Sequence, residues 1–210
     1  MMLFIERMVR IGTAKVRCGI VGPVATGVAY EGRGVCSAVM RDALRWAIED
    51  GYHLTMLWGH TWLYPRYGYA PGLKHYTMML GADLLPVGDT GYSMRAATAA
   101  DAPALALCYH MATATTTLAE IRSDEPWEWR PSDDQQRVEV VVDPVRVVRG
   151  YFRASVHERH IDVHEIAALD DHAAQALFDR LLYLARETQG REVRVSATPD
   201  MRWSRWAFAH

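Results

Sequence analysis

The stretch from Gly22 to Met40, GPVATGVAYEGRGVCSAVM, constrains the fold more than any other. Val24, Ala25 and Thr26 make a short strand-like run. Gly32 and Gly34 then flank Arg33 in a turn, after which Val35, Val39, Leu44, Ala47 and Ile48 recur at helical spacing. A strand that passes through a glycine-bearing turn into a helix brings backbone N–H groups close to a bound anion. The helix start adds its dipole and its unpaired donors. That is a site for a phosphate or pyrophosphate. Such a turn is also a plain packing device, and the spacing alone does not separate the two.

The remaining chain sets the limits. Its 210 residues suffice for one large or two small domains. A formal charge of −2 gives no electrostatic reason for nucleic acid or an anionic membrane as partner. No apolar run reaches the roughly 20 residues of a membrane span. The first residues, MMLFIERMVR, carry charges inside their apolar run and are no secretory signal. Cys18, Cys36 and Cys108 are odd in number and far apart, which points to reduced thiols in a cytoplasmic protein.

In order, the pattern predicts strands over Met2–Ile11, Ala14–Gly19 and Ile20–Thr26, a helix from about Gly34 to Asp50 with Gly51 past its end, and a buried parallel strand over His53–Trp58. A short helical turn follows over Thr61–Tyr67, then a strand over Leu73–Leu80. Gly81–Gly91 has the Gly, Pro and Asp content of a linker. Beyond it come a strand over Ser93–Ala96, a helix from Thr98 to about Ala112, and a polar loop over Ser123–Asp134. A hairpin around Asp143-Pro144, a strand over Ile161–Leu169, a helix capped by Asp170 and closed at Gly190, and a last strand over Glu192–Ala197 complete the chain.

Two motifs carry a family resemblance. Glu31-Gly32-Arg33-Gly34-Val35-Cys36 is similar to the Arg/Gln-x-x-Gly-x-Gly/Ala turn of GNAT-superfamily N-acetyltransferases. Glu31 stands where that family has Arg or Gln, and Cys36 where it has Gly or Ala. At the expected distance downstream, Trp62-Leu63-Tyr64-Pro65-Arg66-Tyr67-Gly68-Tyr69 resembles the aromatic segment after the family's fifth strand. The resemblance implies an α/β (α+β) fold and acetyl transfer from acetyl-CoA to a primary amine. It implies a pyrophosphate on the amides of Glu31, Gly32, Arg33, Gly34, Val35 and Cys36. The pantetheine arm would run beside Val24, Ala25 and Thr26, one of whose N–H groups would meet the oxyanion. Tyr64 would be the acid that protonates the leaving thiolate; no residue is identified as the base.

The second half repeats a strand–helix–hairpin–strand–helix–strand order, with Asp170 and Asp171 at its helix start and no glycine turn. The whole resembles two tandem GNAT-like units with mixed central sheets, of the enhanced-intracellular-survival type, shortened at both ends. The expected domains are 1–81, incomplete at its N-terminus and holding the acetyl-CoA site, a linker 82–91, and 92–210, a degenerate copy that binds no CoA. The resemblance leaves a homo-oligomer open. The competing class is a catalytically silent module that binds CoA weakly or serves in assembly, favoured by Glu31 and by the missing elements.

Other clusters have plainer readings. His157, His160 and His164 in VHERHIDVH miss the His-Glu-x-x-His spacing by one residue and, on alternating strands, need not share a face, so no metal is expected. Trp127, Trp129, Trp203 and Trp206 read as core or interface, and Cys36 as a bystander thiol.

Overall fold

The computed structural model describes residues 1–122, 136–189 and 192–210. In chain order it contains β1 (Met2–Ile11), β2 (Ala14–Val24), α1 (Val35–Glu49), β3 (Leu54–Leu57), β4 (Thr77–Gly81), β5 (Ser93–Ala96), α2 (Ala102–Thr113) and β6 (Leu118–Glu120). The series continues with β7 (Gln136–Val142), β8 (Val148–Val156), β9 (Ile161–Ala168), α3 (Asp171–Glu187), β10 (Glu192–Ser196) and α4 (Arg202–Ala209). These elements form a mixed α/β fold in two compact units, Met1–Lys74 with Thr117–Ile121, and His75–Thr116 with Arg122–His210.

The first unit is a four-stranded mixed sheet in the order β3-β2-β1-β6. β2 pairs antiparallel with β1 and parallel with β3, and it runs unbroken where the sequence suggested two strands. Gly19 on β2 leaves room for the Phe4 ring of β1: a Cβ there would lie 2.0 Å from it, so a larger residue would have to displace that ring. Phe4 in turn stands edge-on to Trp46 of α1, with centroids 5.1 Å apart. At its C-terminal end α1 closes on Gly51 at φ +76°, where Tyr52 N–H reaches the Ala47 carbonyl at 2.9 Å and Gly51 N–H reaches Ile48 at 3.2 Å. This is the left-handed glycine stop that the sequence suggests. Arg17 joins β1, β2 and the end of α1 by bonding Glu6 at 3.0 Å and Asp50 at 2.8 Å. Few apolar side chains of this unit are buried: Val9, Cys18, Val21, Met40, Ala47 and Ala119.

The second unit holds a six-stranded mixed sheet in the order β4-β10-β9-β8-β7-β5, in which only β9 and β10 run parallel. Tyr151 and Phe152 are neighbours on β8, both fully buried, yet they enter different apolar clusters. Alternation along the strand therefore puts a core on each face of the sheet. Phe152, Leu177, Leu181 and Trp203 pack on the α3 and α4 side, and Leu105, Cys108 and Tyr151 on the α2 side. Trp203 and Trp206 are core residues, as their spacing suggested. Trp127, Trp129, Gly190 and the loop expected over Ser123–Asp134 lie outside the described residues.

Two strands take partners that the sequence did not indicate. Thr77–Gly81, expected to extend the first sheet, pairs antiparallel with β10 in the second. Leu118–Glu120 returns to pair with β1. Alternation marks a segment as strand but carries no information about which sheet edge receives it. α4 was also not anticipated, because its N-cap, Met201, offers no side-chain oxygen.

At α3 the expected cap is present: Asp170 Oδ1 accepts from Ala173 N–H at 2.7 Å. Asp170→Ala removes that acceptor, so urea unfolding followed by helical circular dichroism is expected to show a loss of about 1 kcal/mol. No change would mean that the cap adds nothing to stability.

Candidate functional site: the Gly34 turn and the tyrosine segment

After β2 the chain makes a 3-10 turn over Val28–Tyr30 and then a glycine turn. Gly32 has φ +71° and Gly34 φ +78°, a left-handed region that L side chains rarely adopt. Gly34 is the N-cap of α1 and has no side chain with which to cap it. The first intrahelical bond runs from Ala38 N–H to the Gly34 carbonyl at 2.9 Å. The amides of Val35, Cys36 and Ser37 thus lack intrahelical acceptors. The turn is exposed from Val28 to Val35, with Glu31 and Arg33 at its surface. The Arg33 guanidinium lies 5.7 Å from the Tyr30 ring centre. The turn can accept an anion from solvent, with Arg33 as a cation in favour and Glu31 as an anion against.

The end of β2 differs in one respect from what the family resemblance implies. Ala25 is bonded in both directions to Met1: its N–H donates to the Met1 carbonyl at 2.9 Å, and its carbonyl accepts from the Met1 amino group at 2.7 Å. Its amide is already engaged. In an antiparallel ladder the neighbouring residue points its backbone groups the opposite way. Val24 N–H therefore faces the β3 side of β2, where pairing with β3 ends at Val21 opposite Leu57. A ladder that stops while one strand continues leaves main-chain groups for an extended ligand.

Downstream of β3, Tyr64–Tyr67 forms a 3-10 turn with Pro65 in its first turn, closed by Gly68 at φ +88°. The Tyr64 ring lies against Gly59, where a Cβ would come within 2.2 Å of it. Gly59 is thus a seat for Tyr64 that sequence reasoning missed. Nothing short of the packed ring marks it. Tyr64 is half-buried and meets Tyr69 edge-on at 6.1 Å. With Leu54, Met56, Trp58, Tyr69 and Leu118 it lines a cavity of about 660 Å³. Burial pushes the Tyr69 phenol above its ordinary pKa, so it stays protonated.

Tyr67 has a different task. Its hydroxyl is 2.7 Å from Ser37 Oγ in the first turn of α1. The contact that joins the aromatic segment to the Gly34 turn therefore runs through Tyr67, while Tyr64 turns into the cavity. Ser37, invisible as a site residue in sequence, is the other half of that joint.

Burial raises the thiols of Cys18 and Cys108, the latter to about 11, which keeps them protonated at neutral pH. In the second unit the start of α3 is occupied. Asp170 fills the α3 amide, Tyr92 hydroxyl donates to its other oxygen at 3.2 Å, and Asp171 pairs with Arg202 at 3.0 Å.

Residues 1–72 match the family model of the acetyltransferase (GNAT) domain. A search among curated proteins found no match. Among solved structures, the chain is similar to a GCN5-related N-acetyltransferase from Kribbella flavida, with 22% identity, a TM-score of 0.75 and coverage of 95% of this chain and 50% of that one. It is also similar to a probable N-acyltransferase from Enterococcus faecalis V583, with 15% identity, a TM-score of 0.76 and coverage of 92% and 50%. Saccharomyces cerevisiae N-myristoyltransferase with bound myristoyl-CoA is more distant, with 10% identity, a TM-score of 0.63 and coverage of 92% and 59%. The chain spans about half the length of the first two. The fold is thus that of GNAT proteins, and its first 72 residues carry the acetyltransferase domain match.

Proposed function

We propose that this protein is an N-acetyltransferase that moves acetyl from acetyl-CoA to a primary amine of a small molecule or peptide in the cytoplasm. One observation carries the reading: left-handed Gly34 opens α1 with three amides free of intrahelical acceptors, at a position that matches the family's pyrophosphate turn. The pyrophosphate would rest on Glu31–Cys36, with Arg33 supplying a cation. The pantetheine arm would lie along the unpaired side of β2 past Val21. Val24 N–H, aimed to that side, would hold the developing oxyanion, a donor fixed before the reaction begins. Tyr64 would protonate the CoA thiolate, and the cavity it lines would take the acceptor. A phenol's reference pKa of about 10 exceeds the roughly 8.5 of a thiol, so either the site perturbs the tyrosine or the proton transfer is concerted with C–S cleavage.

A second reading, a silent CoA-binding module, is favoured by Glu31, whose carboxylate sits in the turn that would hold a polyanion. The second unit, in either reading, is a GNAT-like copy that takes no CoA, since Asp170 and Asp171 occupy its helix start.

Native mass spectrometry with acetyl-CoA, followed by a thiol-release assay over a panel of amines, tests this directly. One CoA per chain and amine-dependent thiol release are expected. One CoA without release selects the silent module, and two per chain refute the assignment of the second unit.

A further inference from the structure

The β8–β9 hairpin places three metal-binding groups together. His157 and His160 flank the two-residue tip Glu158–Arg159, and His157 N–H closes it by donating to the His160 carbonyl at 2.9 Å. Below the tip Val156 pairs with Ile161, and Ser155 with Asp162. The two imidazoles therefore come from opposite arms of a turn. The sequence reading placed strands on either side of this stretch without bringing the two histidines to one face. Their ring centres are 4.7 Å apart. Both Nε2 atoms approach the same carboxylate oxygen: His160 at 3.1 Å and His157 at 3.6 Å from Asp162 Oδ2. One donor atom from each of the three residues lies within 4.8 Å of the others, and all three residues are half-buried. A hydrogen bond accounts for His160 beside Asp162. It does not account for His157, which stands beyond hydrogen-bond distance of that oxygen.

We propose that His157, His160 and Asp162 form a binding site for a divalent first-row metal ion of the zinc type. Zinc binds imidazole nitrogen at about 2.0–2.1 Å and carboxylate oxygen at about 2.0–2.2 Å, so tetrahedral ligands stand roughly 3.4 Å from one another. The two observed separations, 3.1 and 3.6 Å, lie on either side of that value. Two nitrogen donors with one oxygen favour zinc, cobalt, nickel and copper over magnesium and calcium, which prefer oxygen. Three protein ligands leave the fourth tetrahedral position to water or an outside group. The backbone is held on both sides: Gln189 N–H bonds the Glu158 carbonyl at 2.8 Å, and Asp162 lies in register with Arg194 on β10. Among the described residues, Arg194 feels the Asp162 charge, and it is itself paired with Glu192 at 2.5 Å. His164 stays outside the cluster and bonds Ser155 Oγ at 2.8 Å.

The test is calorimetric titration of ZnCl₂ into tag-free, chelator-stripped full-length protein, with MgCl₂ in parallel. Saturable binding of one zinc per chain and no comparable magnesium binding are expected. His160→Ala and Asp162→Asn should each weaken zinc affinity at least about tenfold, the scale on which even outer-shell changes act. His164→Ala should leave it unchanged. A reading on the wild-type chain guards against variants that misfold: Co²⁺ should give a tetrahedral d–d spectrum without a thiolate charge-transfer band. No saturable zinc binding, equal affinity in His160→Ala, or a cobalt spectrum dominated by thiolate each overturns the proposal.

Discussion

Gly34→Asp is expected to weaken acetyl-CoA binding about 100-fold or more by calorimetry, a change of about 2.8 kcal/mol. Two effects combine. Gly34 sits at φ +78°, where an L residue costs about 1–2 kcal/mol, somewhat less for Asp, which tolerates this region better than most. The larger effect is a carboxylate placed where the pyrophosphate would lie, in competition for the amides of Val35, Cys36 and Ser37. Steric blocking within the protein plays no part, because a Cβ at Gly34 meets no atom within 4 Å. Gly34→Ala separates the two effects: it keeps the strain, adds no charge, and should cost about tenfold or less. A thermal melt checks that both variants fold. Equal acetyl-CoA affinity in wild type and Gly34→Asp would remove the turn from cofactor binding.

Tyr64→Phe is expected to lower kcat about 100-fold or more while leaving KM for acetyl-CoA nearly unchanged. It deletes only the hydroxyl, and general acid catalysis contributes on this scale. An interaction made only in the transition state shows in kcat and not in ground-state binding. Tyr67→Phe supplies the contrast. Its hydroxyl bonds Ser37 Oγ at 2.7 Å, at the helix start that would hold the cofactor. Losing that joint should raise KM more than it lowers kcat. The readout is steady-state thiol release with the acceptor amine found active. Unchanged turnover in Tyr64→Phe would exclude it as the acid and leave Tyr67 as the next candidate to test.

The sequence made some elements legible and not others, for physical reasons. α1 was readable because three local signals agree: a glycine turn before it, helical spacing within it, and Gly51 after it. The cap of α3 was readable because Asp170 acts on an amide three residues away. Strand partners were not, since β4 joins β10 across more than 100 residues of chain and β6 is only three residues long. At the candidate site, the glycine turn and Tyr64 stand out as motifs. The capture of Ala25 by Met1, the seat at Gly59 and the Ser37–Tyr67 joint do not. Each depends on a contact between distant segments that no spacing encodes. The His157–His160–Asp162 cluster shows the same limit in reverse. A two-residue reversal, not a helical or strand period, brings its donors together.

The two units differ in how much apolar surface they withdraw from water, and this bears on what the ligand does. Both apolar clusters among the described residues lie in the second unit, whereas Val39, Trp46, Ile48, Trp58 and Trp62 of the first stand exposed. Segments with few buried contacts open at lower free energy than the core of the same chain. The Gly34 turn and Tyr64 therefore sit in the unit with fewer buried apolar contacts among the described residues. A cosubstrate that binds only the closed form shifts that equilibrium by mass action, by about 2.7 kcal/mol at one hundred times its dissociation constant. For such a unit a bound cosubstrate would act also as a folding partner, and its concentration would set what fraction of the site is formed.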